Sequence, residues 1–138
     1  FTTLLNNNIL HKITLLSYLL NNKIVVLGAV SAGTGEYFDD GYKETVTYNE
    51  EIPGHDFAVV VNGDSMEPTF ENKQIIFVKE TKEVRNGQFV IADYDHQAYV
   101  KKFMRDENGC RLVSLNKKYK GLPINDEHKM SIFGVVVL

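Results

Sequence analysis

Ser65 and Lys101 are the two side chains in this sequence from which nucleophilic chemistry could be built. Ser65 sits in Gly63-Asp64-Ser65-Met66-Glu67-Pro68, between two apolar runs, Phe57 to Val61 and Gln74 to Val78. A glycine followed by short polar residues between two strand-like runs predicts a sharp turn, which aims a hydroxyl from a stiff scaffold. The same three residues, Gly-Asp-Ser, also make an ordinary turn with no chemistry. Lys101 lies in Ala98 to Met104, where alternation puts it on one face with Tyr99 and Phe103. Ala98, Val100, Lys102 and Met104 fall on the other face. Lysine is rarely buried, and burial lowers its pKa. A neutral lysine amine can take the proton of a serine hydroxyl. The competing reading leaves Lys101 and Lys102 ordinary, one pointing outward and one snorkelling at a strand edge.

Other candidates carry less. His11, His55, His96 and His128 show no metal-ligand spacing with one another, with Cys110 or with carboxylates. Cys110 lies in a polar Asn108-Gly109-Cys110-Arg111 turn without a neighbouring histidine. The acidic pairs Asp39-Asp40 and Glu50-Glu51 read as solvated loop charges. No glycine-rich loop has phosphate-cradling spacing, and the reading calls for no cofactor and no metal.

The elements that must position these residues are mostly strands. Ile24 to Val30 is a continuous apolar run, followed by the small residues Ser31-Ala32-Gly33-Thr34-Gly35. Small residues without periodicity predict an accessible loop, either a plain connector or an extended segment able to enter a narrow protease site. Gln74 to Lys79 and Gln88 to Tyr94 read as strands, with Asn86-Gly87 as a hairpin signal between them. Asp95-His96 and Asn108-Gly109 predict two further hairpins, and Asn116 to Gly121 a basic polar loop. Met130 to Leu138 is apolar enough to be buried on both faces or paired across an interface. Ahead of all this, Leu5, Ile9, Ile13, Leu16 and Leu20 have helical spacing, and Asn21-Asn22 stops the pattern. The expected fold is mainly β: a compact antiparallel domain over 24–138, with a helical linker or interaction segment over 1–23.

With 138 residues, 43% hydrophobic and 24% charged, the chain can form one globular domain with a real core. A net charge of −3 gives no basic field for nucleic acid. A single cysteine excludes an internal disulfide framework and fits a reducing compartment. The apolar clusters are too short to span a bilayer, and no signal peptide is readable. The first residue is Phe1, which leads us to expect a fragment or a processed product.

Four pieces in order resemble one family. They are Val30-Ser31-Ala32-Gly33, Gly63-Asp64-Ser65-Met66, Glu83-Val84-Arg85-Asn86-Gly87-Gln88 and Tyr99-Val100-Lys101-Lys102-Phe103, and the closing Phe133-Gly134-Val135-Val136 adds a fifth. Over roughly Ile24 to Leu138 the chain resembles the C-terminal domain of the LexA and phage repressor family, self-cleaving Ser-Lys peptidases. The resemblance implies Ser65 as nucleophile and Lys101 as neutral base. The backbone N–H groups of Asp64 and Ser65 would form the oxyanion hole, and Ala32–Gly33 would be the scissile bond. It also implies a cytoplasmic homodimer whose cleavage is promoted by the activated RecA filament in the SOS response. Operator DNA would be bound only through an N-terminal helix-turn-helix domain, which is not readable in Phe1 to Lys23. A UmuD-like accessory subunit of a DNA polymerase, matured by the same self-cleavage, is the alternative. With Ser65 intact in an uncut chain, the Ala32–Gly33 segment is expected to lie away from the serine.

Overall fold

The computed structural model describes residues 23–33 and 44–138. The helical pattern expected over 1–23 lies outside these residues except for Lys23, which begins the first strand. Nine strands are present among the described residues. They are β1 (Lys23–Ser31), β2 (Glu44–Thr47), β3 (Phe57–Asn62), β4 (Ile75–Glu80), β5 (Phe89–Tyr94), β6 (Gln97–Asp106), β7 (Gly109–Val113), β8 (Leu122–Ile124) and β9 (Met130–Val136). The mainly β expectation therefore holds. The order in the sheet is β2-β1-β3-β4-β9-β5-β6-β7-β8.

Most neighbours are antiparallel, but β1 runs parallel to β3 and also meets β6, where Ser31 pairs with Tyr99. That last pairing closes β1, β3, β4, β9, β5 and β6 into a ring. Closure removes free edges from the strands of the ring and leaves β2 and β8 as the outer strands. It also carries the C-terminal end of β1 to β6, the strand of Lys101.

The ring is filled by one apolar cluster, including Val30, Ala32, Val61, Met66, Phe70, Ile91, Val100 and Val136. A second cluster, built on Val90, Tyr94, Tyr99, Phe103, Leu112 and Ile132, packs on the other side of β5 and β6. Strands β5 and β6 are thus buried on both faces. Strand β9 lies between β4 and β5, so both of its backbone edges are used within this chain. Burial in one protomer accounts for Ile132 and Val136, both edges of β9 are taken within the chain, and Leu138 stays exposed.

Two local expectations differ from the structure. Asn86-Gly87 does form a turn, but it does not join β4 to β5 as a hairpin, because those strands are not neighbours. Instead it runs along β6: Gly87 N–H donates to the Phe103 carbonyl and Asn86 Oδ1 accepts from Arg105 N–H, both at 2.8 Å. The small-residue segment is not a loop from its first residue either. Ser31 ends β1, and Ala32 continues its course, fully buried in the ring.

Candidate active site

The turn after β3 is anchored before it is functional. Met66 is fully buried, and its carbonyl accepts from Phe70 N–H at 2.9 Å, which folds the Met66–Phe70 segment onto the ring core. Ser65, next to that anchor, is also fully buried. Gly63 has φ +117°, and a Cβ there would lie 2.1 Å from the Ala32 carbonyl oxygen. Only glycine meets both conditions, the left-handed backbone and the close approach of another chain segment.

Lys101 is 2% exposed on β6. Its Nζ donates to Ser65 Oγ at 2.8 Å and to Ser114 Oγ at 2.7 Å. Burial lowers its pKa from 10.5 to about 8. Among the described residues no carboxylate opposes that shift, and the rings of Tyr99 and Tyr119 near Nζ (5.8 and 5.6 Å) supply only weak cation–π attraction. Desolvation therefore wins, and a substantial fraction of the amine is neutral in mildly alkaline solution.

The third component is the chain itself. Ala32 N–H donates to the Asn62 carbonyl at 2.7 Å, and Ser65 N–H donates to the Ala32 carbonyl at 2.9 Å. The Ala32–Gly33 bond is therefore seated over the serine, contrary to the expectation that it lies away from it. The reason is register. Parallel pairing of β1 with β3 continues to Ser31 opposite Asn62, so the strand delivers Ala32 to the turn that follows β3. Of the two N–H groups expected to hold an oxyanion, that of Ser65 already meets this carbonyl. Asp64 is engaged through its carboxylate, which accepts from the Tyr119 hydroxyl at 2.5 Å and from Lys118 Nζ at 2.9 Å. These two bonds, the tyrosine's first, hold the Asp64 carboxyl below its ordinary pKa.

Ser114, Asn116 and Tyr119 were not singled out by sequence reasoning. Asn116 N–H donates to the Ser65 carbonyl at 2.8 Å, so the polar loop after β7 is fastened to the turn that carries Ser65. The one available signal was a serine just beyond an alternating strand, which is weak.

The other candidates sit elsewhere. His55 Nδ1 lies 2.8 Å from the Pro53 carbonyl, and its ring packs edge-on against Phe77. His96 has φ +69° in the β5–β6 turn, and His128 Nδ1 is 2.6 Å from Asp95 Oδ2. Cys110 contacts Arg105 Nε at 3.4 Å. Lys102 is half-buried on the opposite face of β6 from Lys101. Among the described residues no group of three or more His, Cys, Asp or Glu is placed to hold a metal ion, and no helix is long and apolar enough to cross a membrane.

Comparison with known proteins supplies a family. Residues 24–137 match the Peptidase S24-like family model. The LexA repressor of Caldicellulosiruptor saccharolyticus is 30% identical over 119 residues, covering 83% of this chain and 57% of that protein. The LexA repressor of Stenotrophomonas maltophilia is 31% identical over 117 residues, with 82% and 55% covered. The LexA repressor of Colwellia psychrerythraea is 29% identical over 118 residues, with 81% and 55% covered. The chain spans about half the length of the curated relatives it matches. A buried lysine on a buried serine, a peptide carbonyl seated beside them and a family match over most of the sequence lead to one assignment: this chain belongs to the Peptidase S24-like family.

Proposed function

We propose that this chain is the C-terminal domain of a LexA-like or phage-type transcriptional repressor, and that it inactivates the repressor by cutting its own Ala32–Gly33 bond. The observation that carries this reading is the Ala32 carbonyl on the Ser65 N–H, with Lys101 Nζ 2.8 Å from the Ser65 hydroxyl. Ser65 is fully buried under that segment, so the bond it can reach is its own. Holding both reactants on one scaffold gives a high effective concentration.

The steps follow from the donor pattern. Neutral Lys101 has one lone pair, which faces the Ser65 hydroxyl while an N–H donates to Ser114. The amine takes the Ser65 proton as Oγ attacks the Ala32 carbonyl carbon. The oxyanion is held by Ser65 N–H, joined by Asp64 N–H. Collapse breaks the Ala32–Gly33 C–N bond, and the Lys101 ammonium returns the proton to the leaving Gly33 amine. Water then hydrolyses the Ala32 ester on Ser65, with Lys101 again as base, and releases a chain ending at Ala32.

In this reading an activated RecA filament raises cleavage by favouring the seated state with a neutral lysine, as a population shift. The protein acts in the cytoplasm as a homodimer, and operator DNA is held by a separate N-terminal domain. The LexA repressor relatives favour this over the polymerase-subunit alternative. Incubation at alkaline pH tests it: the parent chain yields two fragments on a denaturing gel, and Ser65→Ala and Lys101→Ala yield none. Undiminished fragments from either variant would overturn the mechanism.

A further inference from the structure

Gly33 follows the scissile bond, and its backbone does not require glycine, because its φ lies outside the left-handed region. Space beside it is the restriction. A Cβ built on Gly33 would lie 3.8 Å from Ser31 Oγ, 3.9 Å from Tyr119 Cε1 and 4.0 Å from Tyr119 Oη. These are ordinary contacts, so a methyl group fits. A β-branched side chain adds two more carbons beyond that Cβ, toward the hydroxyl and ring already touching it.

The ring is not free to retreat. Tyr119 is half-buried. Its hydroxyl is bound to Asp64 Oδ1 at 2.5 Å, and its N–H donates to the Asn116 carbonyl at 3.2 Å. Asn116 is itself fastened to the Ser65 carbonyl. Lys118 holds the other oxygen of the same carboxylate. The wall beside Gly33 is thus built onto the turn that carries the nucleophile, although Tyr119 and Asp64 are 55 residues apart in sequence.

We propose that Tyr119 is the specificity-determining residue for the position after the scissile bond, admitting glycine or alanine and rejecting branched side chains. This rests on the self-cleavage reading above. Tyr119 takes no part in proton transfer. It sets which peptide can lie across Ser65 with its carbonyl on the Ser65 N–H.

Alkaline self-cleavage of the full chain tests the proposal as a double-mutant cycle. Gly33→Ala should cleave within about threefold of the parent, and Gly33→Val should be slower by about 100-fold. The informative quantity is the ratio of rates for native Gly33 over Gly33→Val in each Tyr119 background. It should fall only in part with Tyr119→Phe, which keeps the ring but loses its tether to Asp64, and fall below about 10 with Tyr119→Ala. Tyr119→Leu, which retains more packing, should give an intermediate ratio and serves if the alanine variant does not fold. A purely structural tyrosine would slow both substrates alike and leave the ratio unchanged, which would overturn the proposal. Absence of cleavage in the parent chain would overturn the self-cleavage reading and this proposal with it. Cleavage of the parent with an unchanged ratio would overturn this proposal alone.

Discussion

Two polar turns of this chain have similar composition and different fates. Gly63-Asp64-Ser65 follows β3, and Asn108-Gly109-Cys110 opens β7; each has a glycine at positive φ and a potential nucleophile within two residues of it. At the first, a Cβ on Gly63 would lie 2.1 Å from the Ala32 carbonyl oxygen, while at the second a Cβ on Gly109 meets nothing within 4 Å. Asp64 is tied to a loop more than fifty residues away, whereas Asp106 pairs with Arg111 within its own hairpin. Ser65 is fully buried against Lys101, and Cys110 is half-buried against Arg105. Residue type and turn chemistry are alike in the two places. The difference lies in a second and a third chain segment packed onto the first turn.

That difference can be broken from either side. The largest effect is expected from the dyad: Ser65→Ala or Lys101→Ala should lower self-cleavage by about 1,000-fold or more, measured as fragment yield over time. Gly63→Ala should come next, because it forces a strained backbone and pushes Ala32 off the Ser65 N–H; a loss of about 100-fold in rate is expected. Gly109→Ala shares the strained φ but not the crowding, so it should cost about 1–2 kcal/mol in denaturant unfolding and leave the cleavage rate unchanged. Arg111→Ala, at the exposed Asp106 pair, should alter neither melting temperature nor cleavage measurably.

The lysine sharpens the comparison through pH. Its folded pKa of about 8 lies below the ordinary 10.5, so the folded chain disfavours the ammonium. Cleavage should rise about tenfold per pH unit up to about pH 8 and then level off, as the neutral fraction saturates. The stability effect runs the same way along the axis but over the window above pH 8. Between pH 10.5 and 8 the unfolded chain binds this proton before the folded chain does, so falling pH weakens the fold. Relative to Lys101→Met, the parent should lose about 3 kcal/mol across that window and nothing further below it. A constant difference between the two proteins in denaturant melts at pH 10.5 and pH 8 would contradict the buried neutral amine.

Much of this was legible before any coordinates. The alternation puts Lys101 on one face with Tyr99 and Phe103, and the structure makes that face a buried one; the anchoring role of Met66 is visible only in the fold. The strands β1, β3 to β7 and β9 were readable from apolar runs and turn residues. What was not readable is pairing at a distance. A turn signal at Asn86-Gly87 says that the chain bends there, not which strands then become neighbours. The short strands β2 and β8 have too few apolar residues for a period to emerge. Ser114 and Tyr119 lay in and beside a loop that reads as basic and polar, because their partners are Lys101 and Asp64 on other segments. The seating of Ala32 was misjudged for the same reason. Small residues suggest a loop, whereas parallel register with β3 carries the strand on to Ser31 and delivers Ala32 just beyond it.

The central claim is that Ser65 cuts the peptide bond seated above it in the same molecule. Intact-mass measurement after incubation at pH 10, repeated across a hundredfold dilution, tests this most directly. One fragment ending at Ala32 and one beginning at Gly33, formed at a rate independent of protein concentration, is the predicted result. A cut at another bond, or a rate that falls in proportion to dilution, would contradict it.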